Sequence, residues 1–96
     1  MTNQTNGFSF TVNPEAAVSF QDDGIAILHA GSGRLFTSNQ TGARIWRGLE
    51  QHLSLDAIAE KISTEYQIAR TIAREQTIRF LSDLEQHALV QPEVVS

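Results

Sequence analysis

The sequence contains no cysteine. That absence removes disulfide frameworks, CxxC redox pairs, thiolate metal sites and cysteine nucleophiles, and it suits a reducing compartment. Long apolar runs are missing as well. Nothing approaches the roughly 18 consecutive apolar residues of a membrane-spanning helix, and the opening MTNQTNGF lacks the basic and apolar regions of a secretory signal. The chain therefore reads as soluble and cytoplasmic. Basic residues are few, seven Lys+Arg against eleven Asp+Glu, and the formal net charge of −4 disfavours a broad phosphate-binding surface. What is present is 96 residues, 41% of them hydrophobic. That is enough for one globular domain, burying roughly 60–65% of its unfolded surface without metal or disulfide staples. A small chain this poor in reactive side chains reads as a binding module rather than an enzyme.

Residues 1–7, MTNQTNG, are polar and aperiodic and read as a disordered tail; residues 93–96 read as a C-terminal tail, with a single domain over 8–92 between them. Phe8–Val12 and Ala17–Phe20 have strand character. Asp22-Asp23-Gly24 signals a hairpin, since Asp-Gly supplies the positive φ angles of a tight primed turn. Ile25–His29 returns, Gly31-Ser32-Gly33 turns again, and Arg34–Ser38 forms the third strand of an antiparallel meander. After Ser38 the period changes from two to 3.6. Asn39 caps a helix carrying Ile45, Trp46, Leu49 and Leu53; Gly42 lies early in it, at a cost of up to ~1 kcal/mol unless close packing needs it. Ser54 caps a second helix with Asp56 in its first turn and the stripe Leu55, Ile58, Ala59, Ile62 and Tyr66. A third helix runs from Arg70 to His87 with Ala73, Thr77, Phe80, Leu81, Leu84 and Ala88 on its core face, and Pro92 stops any continuation. Strands followed by helices give an α+β fold.

Catalytic and metal chemistry find little to stand on. His29, His52 and His87 fall in a strand, a loop and a helix end, and none pairs with another at i+3 or i+4 as a local metal site needs. Ser32 between glycines lacks the lysine and following Ser/Thr of a phosphate loop. Asn3 and Asn39 each begin an Asn-x-Thr match, but without a secretory signal Asn39 is better used as a cap. Ser54-Leu55-Asp56 has the wrong order for a carrier-protein attachment triad. Glu60, Glu65, Glu75, Asp83 and Glu85 sit on polar helix faces; Glu75–Arg79 and Arg79–Asp83 are i,i+4 pairs expected to contribute ~0.2–0.5 kcal/mol each. No cofactor and no metal are implied.

Two binding surfaces remain. The strand Arg34, Leu35, Phe36, Thr37, Ser38 lies at the edge of a meander and carries neither Pro nor Lys to block pairing. Such an edge accepts an extended peptide as an added strand, unless Phe8–Val12 covers it. The second surface is the line Arg74, Ile78, Leu81, Glu85 at i, i+4, i+7 and i+11 of the third helix, an apolar spot with a charge at either end. The opposite flank, Ile72, Gln76, Arg79 and Asp83, reads as solvent face.

A three-stranded meander feeding three helices is a winged helix-turn-helix plan in unusual order. From Asp23 to Val90 the chain resembles the PqqD-like family of stand-alone leader-recognition proteins in ribosomal peptide modification. The resemblance rests on Asp23-Gly24, Gly33-Arg34-Leu35-Phe36, Asn39-x-Thr41-Gly42-Ala43-x-Ile45-Trp46-x-x-Leu49, Ser54-Leu55-x-x-Ile58-Ala59 and Phe80-Leu81-x-x-Leu84 before Leu89-Val90. It implies an adaptor without an active site. Such an adaptor binds the leader segment of a precursor peptide as an added strand, in a groove closed by the third helix, and presents it to a modifying enzyme: a peptidase, a cyclase or a radical enzyme. Arg34–Ser38 and the line Arg74, Ile78, Leu81, Glu85 are the surfaces it points to. Three places depart from the pattern: Ser38-Asn39 stands where many relatives have Leu-Asn, Gln76 where an acidic residue is common, and His29-Ala30-Gly31 where members serving pyrroloquinoline quinone synthesis have a Tyr-Pro-Glu-like stretch. The Gly-Arg-Leu-Phe and Gly-Ala-x-Ile-Trp elements are closer to members serving lasso-peptide maturation than to those serving pyrroloquinoline quinone synthesis.

The rival reading is a DNA-binding winged helix with the third helix in the major groove. Arg70, Arg74 and Arg79 would form its basic face, but Glu75, Asp83 and Glu85 interleave with them. The two readings differ in a simple measurement. A recognition helix gives DNA binding that falls steeply with salt; a peptide adaptor gives none even at low ionic strength, the outcome expected here from a mobility-shift titration.

Overall fold

Three strands form the sheet of an α+β fold, described over residues 9–93 in a computed structural model. They are β2 (Ala16–Gln21), β3 (Gly24–His29) and β4 (Arg34–Asn39), antiparallel and in that order across the sheet. The expected N-terminal tail, residues 1–7, lies outside the described residues together with Phe8, as does the expected C-terminal tail, residues 93–96, apart from Glu93. The register pairs Val18 with Ile27 and Ile27 with Phe36, which puts these three on the inner face. Ile25 and Ile27 are fully buried there, while Leu28 and Leu35 pair on the outer face. Helices α1 (Gln40–Glu50), α2 (Leu55–Tyr66) and α3 (Arg70–Gln86) follow.

The first hairpin does not use the expected primed turn. Gln21 pairs with Gly24, so Asp22 and Asp23 are the turn residues, and none of the three has a positive φ. Gly24 is required for a different reason: a Cβ there would collide with the Ser38 carbonyl on the neighbouring strand.

Both expected caps are present. The Asn39 side chain accepts from Gly42 N–H at 3.0 Å, and the Ser54 hydroxyl accepts from Ala57 N–H at 3.2 Å. The core gathers around Trp46, which is fully buried, with Ile45, Leu49, Ile58, Ile62, Leu81 and Leu84. The indole N–H of Trp46 donates to Glu50 Oε2 at 3.1 Å, and buried Thr77 donates to the Ala73 carbonyl at 2.8 Å, so neither polar group is stranded.

All three helices end by one device without a glycine. His52, Gln67 and Ala88 adopt left-handed φ values of 63°, 55° and 59°. The residue after each then bonds back to the last turn: Leu53 N–H to Gly48, Ile68 N–H to Ser63 and Leu89 N–H to Leu84. At α1 and α3 these are Schellman closures, at α2 Gln67 and Ile68 N–H both meet the Ser63 carbonyl, and the apolar residue after the turn packs onto the core in each. The consequence corrects two expectations. Ala88 is exposed, outside the helix, and Leu89 takes the core position instead. Tyr66, the last residue of α2, is 37% exposed because the chain turns away at Gln67.

A small ribbon completes the fold. β1 (Phe10–Val12) pairs antiparallel with β5 (Val90–Pro92), with Phe10 opposite Pro92. Phe10–Val12 therefore lies on the C-terminal strand and not on β4. The ion pairs expected within α3 are also not made: among the described residues Arg79 reaches neither Glu75 nor Asp83 within 4.0 Å. Arg44–Glu65, Arg70–Glu60 and Arg74–Asp56 pair between helices instead.

The closures make a direct prediction. Left-handed backbone costs a non-glycine residue about 1 kcal/mol or more, partly offset by the greater freedom of unfolded glycine. Ala88→Gly should stabilise the protein by about 0.5–1 kcal/mol, whereas Leu89→Ala should destabilise it by about 2–4 kcal/mol. Urea unfolding monitored by Trp46 fluorescence measures both.

Candidate peptide-binding site

Among the described residues, β4 pairs with β3 on one side only. Every second residue of Arg34–Asn39 thus directs its backbone N–H and C=O away from the sheet. Along the strand the side chains alternate. Leu35, at 62% the most exposed large apolar residue described, and Thr37 face outward; Phe36 and Ser38 face inward and are half-buried. Arg34 is exposed at the start of the strand.

The inward side of β4 meets α3. The Phe36 ring lies 5.9 Å from the Phe80 ring and 4.9 Å, edge-on, from the His87 imidazole. His87 is oriented by its own helix, Nδ1 lying 2.8 Å from the Asp83 carbonyl. At the C-terminal end of β4 a groove of about 230 Å³ lies between the first turn of α1 and α3, with Ser38, Thr41, Gly42, Gln76, Arg79, Phe80 and Asp83 in its walls. Gly42 forms its floor: a Cβ there would collide with the Ser38 hydroxyl and approach Phe80 Cε1 to 2.7 Å. The close packing that justifies a glycine inside a helix is thus present.

Of the residues singled out in the sequence, Arg34, Leu35, Phe36, Thr37 and Ser38 make up the open edge. Arg74, Ile78, Leu81 and Glu85 do share one surface, but it does not border β4. They line a separate groove with Phe10, Leu55, Ser82 and Pro92. At 3.6 residues per turn the two α3 flanks are about 180° apart, each about a quarter-turn from the core stripe. The wall that faces β4 is the polar flank, Gln76, Arg79 and Asp83, which periodicity alone assigns to solvent. A sequence signal for it exists in Phe80: a bulky aromatic at the border of the core stripe on that side is the side chain that meets Phe36.

The site offers hydrogen-bonding backbone, two aromatic rings, and one cation and one anion that are not paired with each other. Among the described residues no group of three or more His, Cys, Asp or Glu is placed to hold a metal ion. No helix of the described residues is long and apolar enough to cross a membrane.

Residues 24–90 match the family model of coenzyme PQQ synthesis protein D. The chain belongs to the PqqD family. No curated protein matches it. Two solved structures do. TbiB1, in complex with the TbiA(beta) leader peptide, superposes with a TM-score of 0.80 at 25% identity, covering 88% of this chain and 99% of that one. A lasso peptide synthetase B1 complexed with the leader peptide gives 0.78 at 28% identity, covering 86% and 98%. The fold of this PqqD-family chain is therefore shared along nearly the whole length of both.

The floor of the groove can be tested directly. In Gly42→Ala the gain in helix preference, up to ~1 kcal/mol, opposes the crowding of Ser38 and Phe80, about 1–3 kcal/mol. A net loss of about 1 kcal/mol is expected in chemical denaturation.

Proposed function

We propose that this chain is a non-catalytic adaptor. It binds the leader segment of a ribosomally made precursor peptide as a fourth strand on β4 and presents it to a modifying enzyme. The observation that carries this reading is the open edge of β4 beside the groove between β4 and α3. Family membership supports it, and so does the likeness to two proteins that were each solved with a leader peptide. In this reading Arg34–Ser38 supply the backbone ladder, Phe36 and Phe80 receive an apolar leader side chain, and Gln76, Arg79 and Asp83 contact polar ones. The chemistry of maturation belongs to the partner. Both similar structures being B1-type proteins supports a lasso-peptide pathway, where that partner is a leader peptidase with a cyclase downstream.

A DNA-binding role is not favoured. Of the three arginines on α3, Arg70 lies 3.6 Å from Glu60 and Arg74 lies 3.0 Å from Asp56, so only Arg79 is left without a carboxylate partner among the described residues. The net charge of −4 points the same way.

Strand addition has a signature that side-chain binding lacks. Successive residues of an added strand alternate between bonding β4 and facing away from it. A set of synthetic leader peptides, each N-methylated at one residue, should show alternating affinity along the β4-binding segment. Methylation at one parity should weaken binding about tenfold or more per site, and at the other parity hardly at all. Uniform tolerance of N-methylation, read by fluorescence anisotropy, rules out the added strand.

A further inference from the structure

The second groove lies on the flank of α3 turned away from β4. We propose that it is the docking site for the modifying enzyme, so that peptide and enzyme occupy opposite sides of one helix. This rests on the adaptor reading above.

The groove encloses about 400 Å³ between α3 and the β1–β5 ribbon, and its walls are mainly apolar: Phe10, Leu55, Ile78, Leu81 and Pro92. Ile78 is 41% exposed although it stands beside fully buried Leu81. A lone exposed isoleucine is ordinary, but one set into an apolar cleft leaves a surface that water covers poorly.

The charges at the two ends define the occupant. Arg74 donates from Nε to Asp56 Oδ1 at 3.0 Å, so its charge is already balanced within the chain. Glu85 has no cation within 4.0 Å among the described residues. It also forms part of the neighbouring depression over the ribbon, lined by Val12, Pro14 and Val90 among others. The uncompensated charge of the groove is therefore negative and sits on a rim shared with the neighbouring depression. The matching partner segment presents a bulky apolar side chain to Ile78 and a lysine or arginine to Glu85.

A leader strand on β4 is on the wrong side of α3 to reach this groove. A second copy of the chain fits poorly, since it would set one concave face against another and bring a further net charge of −4. A convex segment of the enzyme meets both requirements. Binding of the two partners is then geometrically independent, and an adaptor can hold both at once.

The test uses the full chain, a labelled synthetic leader from the precursor encoded beside it, and the co-encoded modifying enzyme. The variants are Ile78→Asp and Glu85→Lys, both at exposed positions, with circular dichroism to verify folding. Leader affinity by anisotropy should stay within about twofold for both. Enzyme affinity by titration calorimetry, measured without leader, should fall about tenfold or more for each. Unchanged enzyme affinity in both variants overturns the proposal. Leader affinity falling in parallel with enzyme affinity also overturns it, by assigning the groove to the peptide. So does a concentration-dependent dimer in sedimentation that Ile78→Asp abolishes, which assigns it to a second copy. Failure of the wild-type chain to bind leader would sink the adaptor reading, while its affinity for the enzyme and the effect of the variants would still be read separately.

Discussion

The pairing of Phe10–Val12 with Val90–Pro92 is the interaction on which the remaining arrangement depends. It is only three residues long on each side, and a ribbon of that size is marginal alone. Here it is held from below. Leu89 and Val90 are buried, Asn13 N–H donates to the Leu89 carbonyl at 2.9 Å, and the Asn13 amide donates to the Ala88 carbonyl at 2.8 Å. The ribbon thereby fixes the segment that leaves α3 and builds a wall along one flank of that helix. It also engages the N-terminal strand, which could otherwise have covered β4. One local pairing thus creates the groove on one side and spares the edge on the other.

An open edge is a weak binder by itself. Each new backbone hydrogen bond contributes about 0.5–1.5 kcal/mol net, while fixing each residue of a flexible peptide costs roughly 1–2 kcal/mol. A six-residue ladder comes out near zero. Affinity and selectivity must then come from side chains, and β4 is placed so that they can. Its inward residues alternate with outward ones, and the inward side opens on Phe36, Phe80 and the groove floored by Gly42. The floor matters for the same reason: a larger residue there would meet Ser38 and Phe80 and fill the groove.

Much of this was legible in the sequence where a residue has one physical use. Asn39 and Ser54 announced helix starts, the period-two stretches gave the strands, and the apolar stripes gave the core. Helix ends were harder. No glycine marks them, and the informative pattern is the apolar residue after each left-handed one, Leu53, Ile68 and Leu89, which periodicity absorbs into the helix it follows. The Asp22-Asp23-Gly24 turn misled because Gly24 answers to Ser38 across the sheet, a constraint invisible locally. The flanks of α3 were the deepest ambiguity. Periodicity finds the buried face but treats the two sides of it as equivalent, and the apolar side of the helix was the natural choice for a binding wall. It is the polar side that faces β4, because the register of α3 on the core is set by Ala73, Thr77 and Leu84, not by its exposed residues.

The ribbon has one more consequence, for how such a domain can travel. Glu93 N–H donates to the Ser9 carbonyl at 2.8 Å, so the first and last described residues are bonded neighbours. A fold whose ends meet can be spliced into a surface loop of another protein with little strain, or joined end to end and reopened elsewhere. The ribbon that holds Phe10–Val12 away from β4 therefore also makes the unit portable. It can be carried as a separate chain or built into a larger protein, with β4 unchanged in either setting.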